Sequence, residues 1–273
     1  MDPIGPMSGQ ARLADRKNFA TRLRQRAAAW TVSFMLACVC PMDYGAEHAI
    51  AQSARSLSGA VTPNYPLKVS TNRRYLVDSS DVPFLIVGDA PQTLINKLSL
   101  AEAAAYMANR RGYGINALWM NLLCNAIEGC HEDATTFDGI APFTTANDLS
   151  TPNSAYFQRA EAAVRLASSS GMVILLDPLE TSGWLDVLRA NGIAKAFAYG
   201  QFLGSRFANL PNLIWLHGNY FGTWRNQTDD ALVQAVARGI RSTDTIHLHT
   251  VELLSGASLD DKSWASLIDL GTF

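Results

Sequence analysis

The chain has 273 residues, 48% of them hydrophobic and 17% charged, with a formal net charge of −2. That balance excludes a disordered chain, and the length suffices for one large α/β domain with a sizeable core. No basic stripe runs along it, so nucleic acid is not an expected partner.

The first segment reads as an export signal. Arg16, Lys17, Arg22, Arg24 and Arg26 make a positive n-region, and Ala27 to Cys40 make an apolar h-region too short to span a bilayer comfortably. Ala49-Ile50-Ala51 then supplies a small-x-small cleavage site before Gln52. Residues 1–51 are therefore expected to be a signal peptide. The mature protein would be secreted or periplasmic, with no stable membrane association. Residues 52–65, rich in Ser and Ala with Pro63, read as a linker, which leaves 66–273 as the domain. Cys38 and Cys40 leave with the signal. Cys124 and Cys130 remain, and the sequence leaves open whether they form a disulfide or stay as two thiols. With only His131 nearby, they do not suggest a zinc site.

In chain order, Pro66 to Val77 reads as a small hairpin, with Asp78-Ser79-Ser80-Asp81 as a turn. Pro83 to Val87 is an apolar strand ending in Gly88-Asp89. Ser99 caps a helix through Arg111, and Glu102 completes a capping box. Ile115 to Leu123 is the next strand, ending near Asn121. A long polar loop follows from Asn125 to Thr151. Ser154 to Ser169 is an amphipathic helix closed by Gly171. Met172 to Leu176 is a strand ending in Asp177-Pro178, with Glu180 just beyond. Gly192 to Ala208 is a helix, and Leu213 to Leu216 a strand ending in His217-Gly218-Asn219. Asp229 to Arg241 is a helix, His247 to Val251 a strand ending at Glu252, and Trp264 to Asp269 opens a further unit.

Such alternation means parallel strands joined by crossover helices, as a doubly wound sheet or a (β/α)8 barrel. No Gly-x-Gly-x-x-Gly follows the first strand and no Gly-x-Ser-x-Gly elbow is present. Polar residues instead gather at the C-terminal ends of the strands, where barrel enzymes place their chemistry. The fold expected is α/β, a (β/α)8 TIM-barrel type. Only five to six strand–helix units can be counted, so the barrel is expected to be C-terminally incomplete.

Glycoside hydrolysis needs two carboxyl groups across a sugar-sized gap, one protonated and one ionised. Asp89, Asp177, Glu180 and Glu252 stand at strand ends and could supply them, or could cap helices and bind loop backbone instead. His217 could orient a carboxylate or the substrate. Among the aromatic residues, Trp119, Trp184 and Trp224 suit a sugar-binding rim, Trp224 best, whereas mid-strand Trp215 suits the core. No His/Asp/Glu spacing suggests a metal site, and no cofactor is expected.

Several stretches together resemble one family. They are Pro83-Phe84-Leu85-Ile86-Val87-Gly88-Asp89, Asn116 to Leu123, Asp138-Gly139-Ile140-Ala141-Pro142-Phe143, Ser150-Thr151-Pro152-Asn153 with Ala155-Tyr156-Phe157, and Asn212 to Trp224. Over residues 66–273 the chain resembles the apiosidase-like glycoside hydrolase catalytic domain. That is a bacterial (β/α)8 barrel often followed by a β-sandwich labelled a collagen-binding domain. The resemblance implies two catalytic carboxylates: an Asp just after the fourth strand, in a Gly-Asn-Asp or Gly-Gly-Asp setting, and a Glu on a late strand. Here the fourth strand reads Gly218-Asn219-Tyr220, so Tyr220 stands where the family has Asp, and the late strand is not in the sequence. What carries over is a substrate-binding shell of Asp89, Asn121, Asp177, Glu180, His217, Asn219 and Glu252, with Trp224 at the rim. The resemblance implies a glycoside hydrolase-like protein acting on polysaccharide side chains, with impaired hydrolysis. The alternatives are a non-catalytic carbohydrate-binding barrel fragment and the product of an interrupted gene.

Overall fold

The computed structural model describes residues 62–221, 226–253 and 262–271, without the side chains of Tyr220 and Phe221. The expected signal peptide, most of the expected linker and Trp224 lie outside the described residues.

The described chain opens with a small antiparallel sheet of β1 (Lys68–Val69), β2 (Leu76–Val77) and β3 (Pro83–Phe84), in that order. The Asp78 turn between β2 and β3 forms as expected. Asp78 Oδ1 accepts the backbone N–H of Ser80 at 2.9 Å and of Val82 at 3.0 Å, the side chain doing the work of a backbone turn. The strand expected over 83–87 is divided between two sheets. Phe84 pairs with Leu76 in the small sheet, whereas β4 (Gly88–Asp89) begins the large one. Between them, Asn116 takes the place of a ladder: its Oδ1 accepts from Val87 N and its Nδ2 donates to Leu85 O, both at 2.8 Å. Leu85 is left 78% exposed, which an apolar run cannot foretell.

The large sheet holds β4, β5 (Ala117–Asn121), β6 (Val173–Asp177), β7 (Leu213–Phe221) and β8 (Leu248–Leu253), all parallel and in chain order. Winding in one direction is the barrel pattern; a doubly wound sheet reverses direction at a switch point. This settles the choice that sequence left between the two.

The crossovers are α1 (Leu94–Lys97) and α2 (Leu100–Gly112), then α3 (Ser154–Ser169), α4 (Thr181–Phe207) and α5 (Gln227–Thr243). Each long helix starts on a side-chain acceptor that fills orphan backbone N–H groups: Ser99 with its capping box, Asn153, Glu180 and Asn226. The helix expected from Gly192 begins eleven residues earlier, at Thr181, and is interrupted at Gly192, whose φ of 72° only glycine adopts without strain. Its first half was hidden because Thr181-Ser182-Gly183 reads as a turn.

Strand alternation builds two cores. Leu118, Met120, Ile174, Leu176, Leu213, Trp215 and Val251 face the helices in one apolar cluster. Ala117, Val173, Leu175, Ile214 and Leu216 face the other way, packed with Leu67, just before β1, and Leu76 of the small sheet. On the helix side, α4 and α5 touch backbone to backbone. A Cβ on Gly200 would lie 3.0 Å from Gly239 Cα and would collide with Val236 O.

Candidate active site

Register sorts the strand-end polar residues by face. Parallel neighbours side by side share a face, so Asp89 goes with Leu118, and His217 with Val251, toward the helices. Asn121 lies beside Asp177, both two residues beyond inner-facing Trp119 and Leu175, and Glu252 has the parity of inner-facing Leu248.

The outer pair serves the frame. Asp89 borders the inner cavity, but its carboxylate is taken: Tyr106 Oη donates to Oδ2 at 2.7 Å, Arg110 Nε reaches Oδ2 at 2.6 Å and Ala90 N donates to Oδ1 at 2.8 Å. The Tyr106 hydrogen bond, above all, holds this carboxyl below its usual range. His217 is stacked between His249, at 5.2 Å, and Trp264, at 5.7 Å, and its Nε2 shares a 2.9 Å hydrogen bond with His249 Nδ1. Burial pulls His217 down to about 3 and His249 to about 2, so both rings stay neutral near pH 7 and neither can serve there as a protonated acid. His217 is thus spent on its neighbours in the helix-facing layer, whereas Asp89 is held by Tyr106 and Arg110 yet still lines the cavity.

The inner residues converge. Trp119 Nε1 donates to Asn121 Oδ1 at 3.0 Å, and Asn121 Nδ2 donates to Glu128 Oε1 at 2.6 Å. Glu128 closes a 3₁₀ turn, Ala126–Glu128, inside a loop sealed by a Cys124–Cys130 disulfide with Cα atoms 6.0 Å apart. The two cysteines therefore pair. Asn125 caps that turn through Ile127 N, at 2.7 Å, and donates its amide to Glu180 Oε2. Glu180 in turn caps α4, accepting from Ser182 N at 3.1 Å and Gly183 N at 2.6 Å. Gly183 is needed here, since any Cβ would collide with the Asn125 side chain.

Unmet polar groups mark the centre. Asp177 is 1% exposed; its Oδ1 has only a long 3.4 Å contact from Leu179 N, and its Oδ2 has no hydrogen-bond partner. Glu128 Oε2 and both amide atoms of fully buried Asn219 are likewise without partners among the described residues. Burial, joined by the charges of Glu180, Glu128 and Glu252, drives the Asp177 carboxyl well above its usual range. Burial and Glu180 push Glu128 up to about 7. Burial and neighbouring carboxylate charge thus favour the protonated forms of Asp177 and Glu128, and a protonated carboxyl can donate as well as accept a hydrogen bond. A cavity of about 310 Å³ opens on the inner face along Asp89, Trp119, Leu175 and Leu216. Among the described residues no group of three His, Cys, Asp or Glu side chains is placed to hold a metal ion.

Glu128 and Asn125 were not anticipated. Their signal was a carboxylate and an amide between two cysteines just past a strand end, submerged in a long polar loop. Trp184, a rim candidate, is buried, its Nε1 donating to Cys124 O at 3.1 Å. Trp215 lies in the core, as read from its place in mid-strand.

A one-way parallel sheet with polar side chains at the C-terminal ends of its strands is the arrangement of (β/α)-barrel enzymes. More narrowly, the chain belongs to the apiosidase-like catalytic domain family, whose model matches residues 70–270. No curated protein sequence matches it. Among solved structures, it is similar to one described as a glycoside hydrolase, at 25% identity and a TM-score of 0.59, covering 70% of this chain and 41% of that one. A glycoside hydrolase family 5 structure from Bacteroides vulgatus shares 24% identity at a TM-score of 0.59, covering 68% and 39%. Another glycoside hydrolase from the same organism shares 15% at 0.56, covering 73% and 40%. The chain spans about two fifths of the length of these structures.

Proposed function

We propose that this glycoside hydrolase-like chain holds a polysaccharide side chain on the inner rim of the sheet, and that it hydrolyses the glycosidic bond weakly at most. The carrying observation is the set of buried polar atoms without partners, Asp177 Oδ2 and the Asn219 amide, on strands neighbouring the one whose Trp119 lines a cavity on the inner face. Buried polar groups are nearly always paired in a folded protein, so unpaired ones beside a cleft fit a hydroxyl-rich ligand. Trp119 offers an aromatic face of the kind that packs on sugar rings. Asn121, Glu180 and Glu252 complete the polar wall, and Trp224 is assigned to the rim on sequence grounds. Weak turnover follows from Tyr220, which stands where the family has its Asp: a phenol with an ordinary pKa near 10 is a poor acid for a leaving sugar. A non-catalytic carbohydrate-binding role is favoured by the same residue.

We further propose export, through residues 1–51, to a secreted or periplasmic location. The Cys124–Cys130 bond supports this, since disulfides persist in oxidising compartments.

The test is sugar release from plant pectic glycans by the purified protein, alongside calorimetric binding of the derived oligosaccharides. Binding without appreciable release is expected. Release well above that of Tyr220→Phe would overturn the weak-turnover reading, and absence of binding to any oligosaccharide would overturn the carbohydrate reading.

A further inference from the structure

The geometry points to Glu128 as a second sugar-contacting carboxyl of this site, presented by the disulfide-closed loop and donating a hydrogen bond to a sugar hydroxyl. This rests on the carbohydrate reading above and extends it to a residue outside every stretch that carries the family resemblance.

Three independent observations converge on it. Glu128 is anchored by one oxygen only: Oε1 accepts from Asn121 Nδ2 at 2.6 Å, while Oε2 is buried without a partner. Its loop is held at both ends, by the Cys124–Cys130 bond and by Asn125, whose two amide atoms bind Ile127 N and Glu180. Finally, Asp177, on the strand next to Asn121, also has a buried unpartnered oxygen. Two such oxygens on residues that both neighbour Asn121 form an acceptor and a donor once one carries a proton, and a vicinal pair of sugar hydroxyls presents the complementary acceptor and donor.

Burial and neighbouring carboxylate charge raise Glu128, while hydrogen bonds from the Asn125 backbone and the Asn121 side chain oppose them. Glu180 at the head of α4 acts on it directly, Asp177 on β6 is coupled to it, and Glu252 on β8 acts on Asp177. Lys97 approaches the loop at Gly129, where its Nζ lies 3.2 Å from the place a Cβ would take, and it is not among the charges acting on Glu128. The proton on Glu128 is therefore retained by burial and neighbouring charge, and ligand binding should weaken as it leaves.

The experiment is calorimetric titration of pectin-derived oligosaccharides into the oxidised, full chain at about pH 5 and about pH 8. Wild type, Glu128→Gln, Glu128→Ala and the Cys124→Ser/Cys130→Ser pair are compared. Wild type is expected to bind about tenfold more weakly at the higher pH. Glu128→Ala should lose about tenfold at the lower pH. Glu128→Gln should recover part of that loss and show a flatter pH profile, because an amide N–H still donates. The double cysteine variant should lose affinity as Glu128→Ala does. Wild-type affinity and pH profile in Glu128→Ala would overturn the inference while leaving the carbohydrate reading intact. Wild-type affinity in the cysteine variant would overturn presentation by the loop. A wild-type protein that binds no oligosaccharide would overturn the carbohydrate reading and this inference together.

Discussion

Asn121 donates its side-chain N–H to Glu128 Oε1 at 2.6 Å, and so ties the end of β5 to the disulfide-closed loop beyond it. Asn121→Ala would remove the side-chain donor of Glu128 Oε1 beside its already unpartnered Oε2. A loss of about 1–3 kcal/mol in folding stability is expected, read by urea denaturation. An unchanged midpoint and slope would show that the bond holds nothing in place.

The loop itself is the subject of a second prediction. Replacing Cys124 and Cys130 with serine removes a short cross-link, for which chain entropy alone gives a cost of about 2 kcal/mol. The loss should appear in the oxidised protein and vanish when wild type is compared under strong reductant.

The carboxyl cluster makes stability fall as pH rises. Glu128 and Asp177 keep protons in the folded state that the unfolded chain gives up near its ordinary carboxylate range, so the folded state is penalised between about pH 4 and about pH 7. Glu128→Gln should melt above wild type at about pH 8, and the gap should close toward about pH 4. Equal melting temperatures at both ends would contradict the shift.

Asp244 acts in the opposite sense. It accepts from Trp215 Nε1 at 2.8 Å and lies 2.6 Å from His247 Nδ1. Burial alone would raise this carboxyl, but the His247 hydrogen bond and charge, and then Trp215, bring it down to about 2. Its stabilising contribution is complete above the unfolded value of about 3.9, and disappears as pH falls toward about 2, a total of about 2 kcal/mol. Asp244→Asn should therefore flatten the acid limb of a pH–stability curve. A limb as steep as that of wild type would place the acid sensitivity elsewhere.

Helix packing gives the sharpest structural prediction. A Cβ at Gly239 would collide with Phe197 O and come within 2.9 Å of both Gln201 N and Gly200 Cα. Backbone cannot yield as a flexible side chain can, so Gly239→Ala should cost about 3 kcal/mol or more, whereas the same change at solvent-open Gly112 should be nearly neutral. Thermal melts of the two variants decide it.

The strands, capped helices and barrel class were legible because each rests on a local pattern: apolar runs ending in polar residues, Ser99 with Glu102, Gly171 after a periodic stretch. The fate of Leu85 and Val87 was not, because an apolar run does not reveal which of two sheets its residues join, and here the Asn116 side chain decides. The site was legible as a height in the fold and not as a face. Asp89 and Asp177 end their strands alike in sequence, yet one is gripped by Tyr106 and Arg110 while the other is buried inward beside Asn121. Glu128 escaped because what brings it to the rim is a covalent closure that sequence left undecided.

The alternation of faces also separates two histories within one sheet. A change at His217 alters how the sheet packs on its helix side, while a change at Trp119 or Leu175 alters the lining of the inner face. Change in the fastenings and change on the inner face can therefore proceed independently, so the inner surface could be remade without renegotiating the scaffold.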